Sequence, residues 1–114
     1  MERNIIVEKS IDFSLAIIDF CELLDSKHKY VLAKQLLKSG TSIGANIHEA
    51  QSAESRADFI HKLKISAKEA TETHYWLILC NRSKHYPSNI KLVEDLLSIQ
   101  KLLSSIISSA KRKQ

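Results

Sequence analysis

Arg56 and His61 could together act on a phosphodiester. In Arg56-Ala-Asp-Phe-Ile-His61 the imidazole can serve as general acid or base, and the guanidinium can stabilise phosphate charge. Five residues along a helix leave two side chains about 140° apart. One chain therefore cannot bring them together, and such a site would have to be built across a dimer. Asp25 and His28, and Asp58 and His61, have the i, i+3 spacing of helical metal ligands, and His48 adjoins Glu49. Bundle metal sites take carboxylates from the middles of several helices, whereas both spaced pairs fall near helix ends. No metal, no cofactor and no catalytic residue is expected.

The basic residues offer a different chemistry. Lys34 and Lys38 are one helical turn apart, as are Lys64 and Lys68. With Arg56, Lys62, Arg82, Lys84 and the tail Lys111-Arg112-Lys113-Gln114 they could neutralise phosphates without reading sequence. Aromatic residues are not interleaved with them, so single-strand stacking is not indicated.

A third group sits in Gln35 to Ala50, QLLKSGTSIGANIHEA. Gln35, Ser39, Ser42, Asn46 and Glu49 recur at steps of 4, 3, 4 and 3. Beside them Leu32, Leu36, Ile43, Ile47 and Ala50 form an apolar stripe. Both stripes fit one helix, and small neutral residues on its flank suggest either a buried hydrogen-bond network or simply the wet flank of an amphipathic helix. Asn46 and Glu49 would then need partners on another helix, with Glu72 facing Asn46 or Gln35. Both glycines of the chain, Gly40 and Gly44, lie in this stretch. Each costs a helix roughly 1 kcal/mol relative to alanine, which suggests close approach of a neighbouring backbone. The stripes run unbroken through Gly40, which argues against a helix-turn-helix turning at Ser39-Gly40-Thr41.

Four helices can position these residues, at about 5–26, 29–52, 56–82 and 89–110, within a single domain spanning 1–114. The first is apolar over more than half its circumference. Ser55 is the expected cap of the third, with Asp58 where a capping box has Glu or Gln. Phe59, Leu63, Ser66, Ala70, Thr73, Leu77 and Cys80 keep a 4,3 spacing, the seam of a bundle. Ser88 or Asn89 caps the fourth, and the basic tail is expected to fray. Short connections make the fold all-α, an antiparallel up-down-up-down four-helix bundle. Helices one and four each carry two apolar stripes; either they flank a wide core or, the favoured expectation, the second stripe packs against another copy.

The composition agrees. The chain has 114 residues, 44% of them hydrophobic, with two glycines and one proline, which favours long helices over turn-rich sheet. No apolar run is long enough for a membrane span, and the start MERN lacks the apolar core of a signal peptide. Cys21 and Cys80 lack metal-ligand or redox spacing and read as free, buried thiols of a cytoplasmic protein. The net charge of +4 is uneven: residues 1–26 carry six acids and two bases, so the remainder carries +8. The acidic first helix could pair with the basic remainder within the fold or between subunits.

Gln35-x-x-Lys38-Ser39-x-x-Ser42-Ile43-x-x-Asn46-Ile47-x-Glu49-Ala50 resembles the signature of the four-helix bundle family related to proteins encoded in intervening sequences of bacterial 23S ribosomal RNA, also called ribosomal-protein-S23-like. Asp58-Phe59-Ile60-x-x-Leu63 and Glu72-x-x-x-x-Leu77 are similar to that family's third helix. The chain departs from the pattern at Lys38, Ala50 and Lys68-Glu69. The resemblance implies a ring-like homo-oligomer, most often a pentamer, with Ser42, Asn46, Glu49 and Glu72 mainly structural. It also extends to accessory proteins of diversity-generating retroelements, which are basic barrels that bind nucleic acid and a reverse transcriptase. The resulting expectation is a non-enzymatic oligomeric scaffold for nucleic acid or a nucleic-acid-associated partner. A ribonuclease built across a dimer from Arg56 and His61 is the alternative.

Overall fold

Asn4, Ser55 and Asn89 open three of the four helices by accepting a backbone N–H three residues on. The computed structural model describes residues 4–113. Its elements are α1 (Ile5–Ser26), α2 (Tyr30–Ala50), α3 (Arg56–Arg82) and α4 (Ile90–Arg112), with no strand among the described residues. Ser55 Oγ accepts from the Asp58 N–H at 3.0 Å, while Asp58 Oδ2 accepts from the Glu54 N–H at 3.2 Å. The aspartate thus forms a reciprocal cap with the residue before the N-cap rather than with the cap itself. α4 runs two residues past Ala110, so Lys111 and Arg112 are helical rather than frayed; Gln114 lies outside the described residues.

α1 ends in a hydrogen-bonded reversal. The Lys29 N–H donates to Leu24 O and the His28 N–H to Asp25 O, both at 2.9 Å. His28 takes φ 62 there, the left-handed conformation this helix ending requires. Its Nδ1 lies 2.6 Å from Tyr30 Oη. The spacing Asp25-x-x-His28 therefore serves a turn, and no cluster of three or more metal-ligating side chains occurs among the described residues.

The helices enclose a core in which α1 touches α2 and α4, and α3 touches α2 and α4. The body measures 48 × 23 × 22 Å. Ile17, Leu24, Leu36, Ile43, Ile47, Leu63, Leu77, Leu96 and Ile99 are fully enclosed. On α3 the seam starts at Ile60 rather than Phe59; Phe59 is only half-buried. No described helix is long and apolar enough to cross a membrane.

α2 meets a neighbour on each flank through small residues. A Cβ at Gly40 would stand 2.9 Å from Ile17 Cγ2 and 3.0 Å from its Cγ1. At Gly44 it would meet Ser14 Oγ at 3.2 Å and Ser10 Oγ at 3.3 Å. The close approach expected at both glycines is thus made by side chains of α1, not by its backbone. On the other flank Ser66 Oγ of α3 donates to Ile43 O at 2.9 Å. Thr73 Oγ1 lies 2.9 Å from Ser39 Oγ and 2.8 Å from Glu69 O. Threonine has one hydroxyl proton, so both groups are satisfied when Thr73 donates to the carbonyl and Ser39 donates to Thr73. Ser39, Ser66 and Thr73 are wholly buried.

Two tests follow from this packing. Ile17 is enclosed and its nearest atoms are attached at its branch point, so Gly40→Ala should destabilise by roughly 1–3 kcal/mol despite better helix propensity. Gly44→Ala, facing rotatable hydroxyls, should change stability by less than about 1 kcal/mol; urea unfolding of the two variants compares them. Burial, then Asp25, then Cys80 push the Cys21 thiol up to about 12, and burial pushes Cys80 up to about 11. Both should resist iodoacetamide at pH 8 until the chain is unfolded. Because the folded pKa values are raised, this contribution to stability is complete below the ordinary value of 9.0 and is lost as pH rises beyond it.

Candidate polyanion-binding groove

α3 and α4 leave a groove of about 450 Å³ along their outer junction. Lys64, Ala67 and Thr71 form one stripe of α3, at steps of 3 and 4; Gln100, Ser104, Ile107 and Lys111 continue at 4, 3 and 4 on α4. Such spacings keep each set on one helix face, so the two rows line opposite walls. Lys64 and Lys111 face each other across the groove. The positive charge of Lys111 nearby holds the Lys64 pKa below its ordinary 10.5. No carboxylate lines the groove, and neither lysine makes an ion pair among the described residues. Thr71, Ser104 and Ser108 add hydroxyls, and Arg112 Nη1 donates to Ser108 Oγ at 3.0 Å. Two facing cations among hydroxyl donors suit a phosphate, which would relieve their repulsion.

The basic residues expected to contact nucleic acid are not all together. Lys64 and Lys68 lie on α3 one turn apart, Lys64 in the groove and Lys68 exposed beyond it. Lys34 and Lys38 are exposed on α2. Lys62 stands at the α2–α3 junction, 3.9 Å from Glu49. Arg56 is exposed at the start of α3. Arg82, at its other end, joins Val31, Leu32, Trp76 and Tyr86 in a separate groove; Lys84 lies in the connection beyond. Lys111 belongs with Lys64, although it read as part of a frayed tail. Continuing the Gln100–Ser104–Ile107 stripe by one turn would have placed it.

The polar stripe of α2 behaves differently from the expected network. Ser39 reaches α3, but Asn46 Nδ2 donates to Ser42 O at 2.9 Å, within its own helix. Ser42 Oγ donates to Lys38 O at 2.6 Å. Glu72 accepts from Trp76 Nε1 at 3.1 Å and is exposed, as are Gln35 and Glu49. The buried interhelical bonds come instead from Ser66 and Thr73, which had read only as small members of the α3 seam. The Arg56 and His61 side chains are both exposed and make no hydrogen bond or ion pair with other described residues.

The family model for 23S rRNA-intervening sequence proteins matches residues 2–105. The chain belongs to that family. A solved structure of a protein of unknown function from the S23 ribosomal protein family of Bacteroides thetaiotaomicron is similar to it at 47% identity. The match has a TM-score of 0.85 and covers 90% of this chain and 97% of that one. Among curated proteins none matches. In this family member the α3–α4 groove makes a direct prediction. Lys111→Gln should move the Lys64 pKa back up toward its ordinary value, read by NMR titration of the lysine Cε signals. An unchanged Lys64 titration would show that the two amines do not interact.

Proposed function

We propose that this protein is a non-enzymatic scaffold whose α3–α4 groove binds the phosphate backbone of nucleic acid. The observation that carries this reading is the pair Lys64 and Lys111, facing across a groove rich in hydroxyls and free of carboxylates. Lys68 extends the basic row by a turn. Binding of this type releases counterions and needs no base contact, so it would be insensitive to sequence and sensitive to salt. The charge balance of +8 outside residues 1–26 supports the same reading.

The scaffold would be an antiparallel up-down-up-down bundle assembled as a ring-like homo-oligomer, a pentamer by family resemblance, in the cytoplasm. Opposed direction is supported by the contacts of α2: residues 39, 43 and 49 meet residues 73, 66 and 62 of α3. Assembly is supported by the large apolar side chains left at the surface, among them Leu15, Val31 and Leu79. Repeated grooves around a ring would hold one nucleic acid at several points, raising overall affinity without new contacts.

Fluorescence anisotropy with a labelled RNA or DNA of about 30 nucleotides, titrated at several salt concentrations, tests the reading. Affinity should fall steeply as salt rises. Replacing Lys64 and Lys111 together by alanine should flatten the log–log salt slope by about two, at roughly one unit per lost phosphate contact. Lys34→Ala with Lys38→Ala should leave it nearly unchanged. Binding indifferent to salt, or to loss of Lys64 and Lys111, would overturn the assignment of this groove.

A further inference from the structure

Two exposed apolar surfaces on this chain differ in charge. On the outer side of α1, Ile11, Leu15 and Ile18 project between exposed Asp12, Asp19 and Glu22, with Leu15 57% exposed. Their spacing of 4 and 3 keeps them along one helix face as an apolar ridge, on which Ile11 and Leu15 also border a shallow groove against Thr41, Ala45 and His48 of α2. Asp12, Asp19 and Glu22 make no ion pair with the other described residues. The second surface is concave. Val31, Leu32, Trp76, Leu79 and Tyr86 line a groove of about 530 Å³ between α2 and α3, and Val31 is 79% exposed. Its charged neighbours are basic: Arg82 lines it, and Lys29 Nζ sits 4.7 Å over the Tyr86 ring. The nearby acid, Glu72, is engaged by Trp76 Nε1.

We infer that the α1 ridge of one copy docks in the α2–α3 groove of the next, so that the ring is built by a heterologous, head-to-tail contact. This rests on the oligomeric reading above and says which surfaces carry it. An apolar helix face in an apolar groove buries both exposed patches, and the acidic flanks of the ridge meet Arg82 and Lys29. The symmetric alternatives fit worse. Ridge against ridge would set Asp12, Asp19 and Glu22 against their own copies, and groove against groove would join two concave, basic surfaces. The ridge lies on α1 and the groove on the far flank of α2, so the contact turns from one copy to the next, as ring closure needs.

Leu15→Asp removes the ridge and Val31→Glu the groove, both at exposed positions where substitution spares the core. Size-exclusion chromatography with light scattering, with thermal unfolding to check folding, should find each variant folded and at the mass of one chain, 13.0 kDa. Mixed at high concentration they should form a one-to-one dimer, because each supplies the surface the other lacks. A variant that keeps the wild-type assembly would overturn the docking scheme and leave the oligomer standing. A mixture that stays monomeric would overturn the heterologous contact in favour of a symmetric one. A monomeric wild-type chain would overturn the oligomeric reading and this inference with it.

Discussion

Ile17 occupies the space that a side chain at position 40 would take, and the placement of α2 depends on that contact. A helix that gives up a side chain at its centre loses about 1 kcal/mol of propensity, so it must recover more from packing. Here the return is an isoleucine buried to 0% exposure against the bare backbone of the next helix. Gly44, one turn on, admits Ser10 and Ser14 in the same way. With α1 drawn against this flank, the opposite flank of α2 is left for α3.

That second flank is polar, and its chemistry differs from the first. A buried hydroxyl must find a partner, and each bond it makes contributes only about 0.5–1.5 kcal/mol net. Ser39–Thr73 and Ser66–Ile43 O are therefore modest sources of stability. Their effect is on register: sliding α3 along α2 would take the interhelical acceptors away from two wholly buried hydroxyls, Ser39 and Ser66, at about 1–3 kcal/mol each, while Thr73 keeps Glu69 O on its own helix. Apolar seam residues at the same sites would pack as well but penalise a slip far less. Glycine fixes how near α1 comes, and serine and threonine fix where α3 sits along the axis.

The four helices were legible because the relevant signals are local: apolar spacing, Ser55 and Asn89 as caps, few glycines, one proline. Membership of the family was legible in the Gln35–Ala50 motif. Spacing left two readings of the α2 polar stripe open, a buried network or a wet flank, and only Ser39 joins a network, for a physical reason. Periodicity says which residues share a stripe but not how far that stripe is rotated from the core. Gln35, Ser39, Ser42, Asn46 and Glu49 follow one spacing, yet drift across the helix face until Ser39 is buried and Gln35 and Glu49 are exposed. Ser66 and Thr73 were visible in the seam but looked like spacers. The groove needed tertiary information, since Lys64 and Lys111 are 47 residues apart and meet only because α3 packs on α4.

Among the described residues, the charge separation between α1 and the rest of the chain finds little outlet inside one copy. Apart from Glu8, whose interactions are its own, the acids of α1 form no ion pair with the basic helices, although the bundle is only 22–23 Å across. The two ion pairs of the described residues, Lys62–Glu49 and Lys91–Asp95, leave α1 out. Surface pairs contribute little to stability, so their scarcity costs the fold little. It leaves the chain with an acidic edge and basic grooves that point outward. In an assembly where the acidic edge is covered by a neighbour's basic residues, the uncovered surface becomes more uniformly positive. Self-association and nucleic-acid binding would then draw on one charge pattern: the acids are used up between copies, and the lysines of the α3–α4 groove remain exposed.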